Sequence, residues 1–164
     1  MISLENILDR KISIKNMTEW MEQNPEHFDR LISLSLGHNK PFNWRAAWLI
    51  NHIIKTNDSR IRKYTDSFID TIDDKNDGHQ REILKILFLM KLDEEQEGKL
   101  FNKCMDIWEK IGKSSSVRIK AFEFLMKTAS KYPELKNELK YLTNVEYTKS
   151  LSPGIKKSLQ KFQL

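Results

Sequence analysis

Apolar side chains recur along this chain every three or four positions, the period at which one face of an α-helix meets a core. Ile61, Tyr64, Phe68 and Ile72 keep that spacing, and an apolar run from Ile83 to Met90 follows. On a helical wheel, Ala46, Ala47, Leu49, Ile50, Ile53 and Ile54 share one side of residues 43–55. In residues 117–131, Phe122, Phe124, Leu125 and Met126 face away from Lys120, Glu123, Lys127 and Lys131. Strand-like alternation is nearly absent, so the pattern predicts about ten helices separated by short polar breaks. Cap chemistry marks their starts. Asn24-Pro25 opens a segment running to Gly37, Ser152-Pro153 opens the last one, and Asp77-x-x-Gln80 has the form of a capping box.

The pattern also repeats. Trp44-Arg45-Ala46-Ala47-Trp48, Gln80-Arg81-Glu82-Ile83-Leu84, Val117-Arg118-Ile119-Lys120-Ala121 and Ile155-Lys156-Lys157-Ser158-Leu159 each carry a basic residue, at 45, 81, 118 and 156, with an apolar or small residue three positions later. The intervals of 36, 37 and 38 residues suit two helices and two turns. One helical hairpin cannot bury its apolar side alone, so neighbouring hairpins must stack.

Those segments, Val117-Arg118-Ile119-Lys120-Ala121 above all, resemble the HEAT and armadillo-type helical repeats, whose second helix opens on a Val-Arg-x-x-Ala-like stretch. The resemblance implies an all-α, right-handed α-α superhelix in a single domain. It would hold an N-terminal cap (1–22) and about four hairpins near 25–55, 58–91, 94–131 and 133–162. More narrowly, Trp44-Arg45-Ala46-Ala47-Trp48-Leu49 and Tyr132-Pro133-Glu134-Leu135-Lys136-Asn137-Glu138-Leu139 look like a family of small bacterial helical-repeat proteins, which implies an architecture and no activity. HEAT repeats often place an aspartate six positions before the arginine as an inter-repeat ladder. Here those positions hold Asn39, Lys75, Gly112 and Ser150.

Composition narrows the function classes. Five glycines and four prolines are too few for a sandwich or barrel. A single cysteine, Cys104, rules out an intrachain disulfide or a thiolate zinc site and fits the cytoplasm. Met1 to Asp9 carries two acids and no continuous apolar stretch, so neither a signal peptide nor a membrane anchor is expected. Charge is uneven: residues 1–112 carry 17 Lys and Arg against 19 Asp and Glu, whereas residues 113–164 carry 11 against four. That basic third would attract an anionic partner such as nucleic acid.

Catalytic patterns are missing. His27, His38, His52 and His79 lack metal-ligand spacing, so no metal or cofactor is expected. Asp73-Asp74-Lys75-Asn76-Asp77-Gly78 is similar to a calcium loop, but Lys75 and Leu84 stand where ligands are needed, leaving a turn. Gly112-Lys113-Ser114-Ser115-Ser116 reads as a helix stop followed by an N-cap, and not as the serine loop of the fumarase superfamily.

What remains is binding. Trp44 and Trp48 fall opposite the apolar side of their helix, among Arg45, Asn51, His52 and Lys55, a mixture that suits interface anchors and also packing between layers. Arg118 projects into an apolar sector and must find carbonyls or a carboxylate nearby. In HEAT-like superhelices the second helices line the concave side, so the resemblance implies a non-enzymatic module holding a protein or peptide there. Its candidate contacts are Trp44, Arg45, Trp48, His52, Lys85, Lys120 and Lys127. The alternative is a nucleic-acid binder or degenerate relative of the HEAT-like alkylpurine DNA glycosylases, with Lys120, Lys127, Lys156, Lys157 and Lys161 on phosphates. Against a glycosylase, no acid occurs between Asp29 and Asp58 to serve beside Trp44.

Overall fold

A computed structural model describes residues 1–9 and 11–162. Among the described residues every regular element is helical. The chain divides into two compact units, Met1–Met90 and Lys91–Leu164, parting between the second and third expected hairpins.

The first unit begins with α1 (Leu4–Ile7) and α2 (Ile14–Gln23), each started by a serine, Ser3 or Ser13, whose hydroxyl accepts a backbone N–H. A 3-10 turn (Pro25–His27) leads into α3 (Phe28–Leu36), which packs along α4 (Phe42–Ile53). Then come α5 (Ser59–Arg62), α6 (Thr65–Thr71), a 3-10 turn (Ile72–Asp74) and α7 (Asp77–Phe88). Helix α7 packs mainly on α4, so the second helices of two successive hairpins lie side by side. Leu31, Ile32, Ala46, Ala47, Leu49, Ile50, Phe68, Ile69, Ile83, Leu84 and Ile86 fill this core.

Two starts differ from the cap reading. The side chain of Asn24 makes no N-cap bond; its amide donates to the Trp20 carbonyl at 2.8 Å and so closes α2, leaving Pro25 to begin a 3-10 turn. In α7 the cap is Asn76, which accepts from the His79 backbone at 3.0 Å. Asp77 is thereby already helical, and Gln80 turns inward to donate to the Ile72 carbonyl at 2.9 Å.

The end of α3 shows how the hairpins are tied. The last carbonyls of a helix have no partner within it. Here the Ser35 carbonyl meets His79 Nε2 at 2.8 Å, Leu36 and Gly37 both accept from Lys75 Nζ at 2.7 Å, and Gly37 also accepts from Asn43 Nδ2 at 3.3 Å. Because a carbonyl only accepts, Nε2 carries the proton in neutral His79. Lys75 occupies one of the positions where the resembled repeats carry aspartate, and it makes an inter-element bond by different chemistry.

Burial pushes the pKa of His79 down to about 4, against a partly opposing hydrogen bond to Ser35. The folded value lies below the unfolded one of 6.5, so the unfolded chain binds more protons in between. His79 stabilisation is therefore complete above pH 6.5 and is lost as pH falls towards 4. Between pH 7 and pH 5 we expect a loss of about 2 kcal/mol in unfolding free energy. His79→Gln should abolish that increment, measured by urea denaturation at the two pH values.

The second unit is built on α8 (Glu94–Glu109) and α9 (Ser115–Lys131), which pack along their length. Asp93 and Gln96 form a complete capping box at the start of α8. A 3-10 turn (Pro133–Leu135), α10 (Lys136–Tyr141), α11 (Val145–Thr148) and α12 (Pro153–Leu159) follow. Helices α10 and α12 each dock on α9. Trp108 is fully buried, tilted against Phe122 with ring centroids 4.6 Å apart, and its indole N–H donates to the Leu142 carbonyl at 2.9 Å. Cys104 lies buried in this core, which pushes its thiol pKa up and makes it an apolar filler.

Candidate functional site

Helix α4 carries an aromatic ladder. Trp44 and Trp48 lie one turn apart, nearly parallel at 14°, with ring centroids separated by 6.4 Å. His52 meets Trp48 edge-on at 4.8 Å. Both tryptophans are half-buried and His52 is exposed. The placement follows from the helical period, since residues four apart stack on one face while Ala46, Ala47, Leu49 and Ile50 face inward. Trp44 leans on α7 at Gly78, where a Cβ would come within 3.4 Å of its indole nitrogen.

At its far end the ladder meets a cavity of about 150 Å³. Met21, Pro25, Phe28 and Ile53 line it with apolar surface, and Thr18, Glu22, His52 and Arg60 add polar groups. Arg60 is rigidly held. Its guanidinium covers the Phe28 ring at 4.3 Å, binds the buried Asp58 at 2.8 Å and donates to the Ile53 carbonyl at 3.2 Å. The Arg60 hydrogen bond is the largest influence holding the Asp58 carboxyl well below the usual carboxylate range.

Beside the ladder, Glu82 of α7 is buried yet fully partnered. It accepts from Lys85 at 3.0 Å, Arg81 at 3.3 Å and Asn51 of α4 at 3.0 Å, while Asn51 also bonds the Glu82 backbone carbonyl at 2.9 Å. Lys85 thus shares a carboxylate with the ladder helix.

Arg45 departs from the sequence reading. The wheel placed it on the binding stripe, whereas the structure buries it. Its Nε donates to the Leu8 carbonyl and its Nη2 to the Asp9 carbonyl at 2.9 Å, with the guanidinium 5.9 Å from the Trp48 ring centroid. A long stem lets the charged end reach past its own helix to the orphaned end of α1. Arg45 lies beside Trp48 and is buried, so it is not itself an accessible anchor. Of the expected contacts, Trp44, Trp48, His52 and Lys85 come together in the first unit. Lys120 and Lys127 lie on α9 in the second, where Lys120 pairs with Glu123 at 2.9 Å and Lys127 is exposed.

Arg118 behaves as its wheel position requires. It is fully buried, with Nε donating to Trp108 at 2.9 Å, Nη2 to Tyr147 at 2.6 Å and Nη1 to the Ser150 hydroxyl at 3.2 Å. Sequence reasoning missed the Glu82 cluster and the Arg60 cavity. For Arg60, the Asn57-Asp58-Ser59-Arg60 turn was the available signal, because an aspartate just before a helix can bind the residue two ahead.

No group of three or more metal-binding side chains occurs among the described residues, and no helix there is long and apolar enough to cross a membrane. These packed hairpins with a recurring basic position define an all-helical repeat protein. Residues 4–162 match the family model of the HEAT repeat domain, and the chain belongs to that family. No curated protein and no solved structure matches it.

Proposed function

We propose that this HEAT-repeat chain is a non-enzymatic, cytoplasmic interaction module that binds a protein or peptide partner through the α4 surface. The observation that carries the reading is the Trp44, Trp48 and His52 ladder, presented half-buried and continuing into the cavity beside Arg60. Half-exposed indoles next to a small apolar socket rimmed by polar groups have the composition of an interface hot spot. Arg45 and the Asn51–Glu82 bonds hold the backbone in place before any partner arrives, which lowers the ordering cost of binding. Lys85 and Arg81 supply charge at the edge, where it steers encounter more than it adds affinity.

Selection of a random peptide library on the intact chain tests this. Selected peptides should lose about 30-fold in affinity on Trp48→Ala and about 10-fold on His52→Ala, with Lys127→Glu without effect. Peptides indifferent to both ladder substitutions, or a selection that enriches none, would refute the assignment.

A further inference from the structure

The net charge of this protein resides in one unit. Residues 1–90 balance 13 basic against 13 acidic side chains, whereas residues 91–164 carry 15 against 10. From Arg118 to Lys161 the basic groups of that unit fall into two kinds. Lys120 and Lys131 are neutralised by Glu123 and Glu97, and Arg118 is buried on carbonyls. Lys127, Lys136, Lys140, Lys149, Lys156, Lys157 and Lys161 are all exposed, and their ammonium groups form no ion pair or hydrogen bond among the described residues. Only Glu134, Glu138 and Glu146 offset them between 127 and 162. Lys127 is on α9, Lys136 and Lys140 are on α10, Lys149 ends α11, and Lys156, Lys157 and Lys161 are on or just after α12; α10 and α12 dock on α9.

We infer that the lysine-rich surface of the second unit binds the phosphate backbone of single-stranded nucleic acid without regard to sequence. Charge complementarity sets the class, since unpaired ammonium groups gain by releasing the counterions of a polyanion. Sequence-specific readout is disfavoured. The exposed cations are lysines, the only arginine of the unit is buried, and α10, α11 and α12 are too short to fill a major groove. Single strands are favoured over duplex because Tyr141 is 63% exposed on α10, next in sequence to Lys140, and offers a ring on which an unpaired base can stack. An anionic membrane is the weaker match. Ile155, Leu159 and Phe162 around α12 are partly covered by the unit itself, so the segment lacks the broad apolar face that an interfacial helix inserts.

These lysines and the α4 ladder belong to different units and share no residue, so the test uses variants independent of the peptide-binding assignment. A fluorescein-labelled oligothymidine of about 20 nucleotides is titrated with the intact chain by anisotropy over a range of salt. Binding should be measurable at about 50 mM salt and weaken with a log–log slope of about −3 to −5. The Lys156→Glu, Lys157→Glu, Lys161→Glu triple variant should bind about 30-fold more weakly with a shallower slope. Tyr141→Ala should lose about 10-fold at an unchanged slope, Tyr141→Phe should bind normally, and Trp48→Ala should have no effect. Circular dichroism checks that each variant keeps its helices. Failure to bind at low salt, indifference to the triple substitution, equal binding by Tyr141→Ala, or tighter binding to phosphatidylserine vesicles or duplex would each overturn the inference.

Discussion

Arg118→Ala should lower the unfolding free energy by about 4 kcal/mol. The guanidinium is fully buried and donates to three acceptors, the carbonyls of Trp108 and Tyr147 and the hydroxyl of Ser150, and its centre lies 4.7 Å from the Trp108 ring centroid. Truncation leaves the buried Trp108 carbonyl without a donor, at about 1–3 kcal/mol, loses the bonds to the half-buried Tyr147 and exposed Ser150, which water can partly replace, and opens a void against Trp108. Arg118→Lys should recover little, because one ammonium cannot span acceptors that a planar fork reaches together. The exposed Lys127→Ala should stay within about 0.5 kcal/mol of the parent chain. Urea titration followed by circular dichroism measures all three. A loss of less than about 1 kcal/mol for Arg118→Ala would mean that water satisfies the site and that the arginine is dispensable.

Arg118 was legible because its wheel angle falls between Phe122 and Leu125, where a charge has no place without partners. Arg45 stands at the equivalent repeat position and was read the other way. Its wheel sector also holds Trp48 and His52, and its acceptors, Leu8 and Asp9, lie 37 and 36 residues upstream, one repeat interval back in the N-terminal cap, where the repeat pattern has no matching segment. Helix phase came through better than helix starts. Asn76 and Asp77 are both good capping residues, and the inward turn of Gln80 towards Ile72 decides between them. Trp44 lies against Gly78 of α7, which the pattern shows only as a weak helix former. That contact across two helices exists only once the repeats stack.

One physical rule links these sites. A helix ends in carbonyls that lack partners and carries a partial negative charge there, so cations are favoured at that end. Arg45 serves the end of α1, Lys75 with His79 serves α3, Arg60 serves α4 and Arg118 serves α8. In each case the donor comes from a later element of the same unit, so closing a helix and fastening it to its neighbour are the same event. An aspartate ladder is thus not needed at every step. Lys75 and Ser150 stand at ladder positions, and Ser150 both accepts from Arg118 and donates to the Ile111 carbonyl at 3.1 Å.

Arg45→Ala follows from that rule and should cost about 3 kcal/mol, since the Leu8 and Asp9 carbonyls lose their donors and the α1 end loses its counter-charge. The effect should be local as well as global. Hydrogen exchange should speed up most in α1 and at its junction with α4, whereas amides of α8 and α9 should keep their protection. Because Arg45 lies within 5.9 Å of the Trp48 ring centroid, the indole fluorescence should shift as that ring gains freedom. Ladder-binding peptides should then weaken through loss of positioning, with Arg45→Lys intermediate because an ammonium can still reach one carbonyl. Unchanged exchange in α1 together with lost peptide affinity would instead make Arg45 a direct contact, the role that its position beside the tryptophans first suggested.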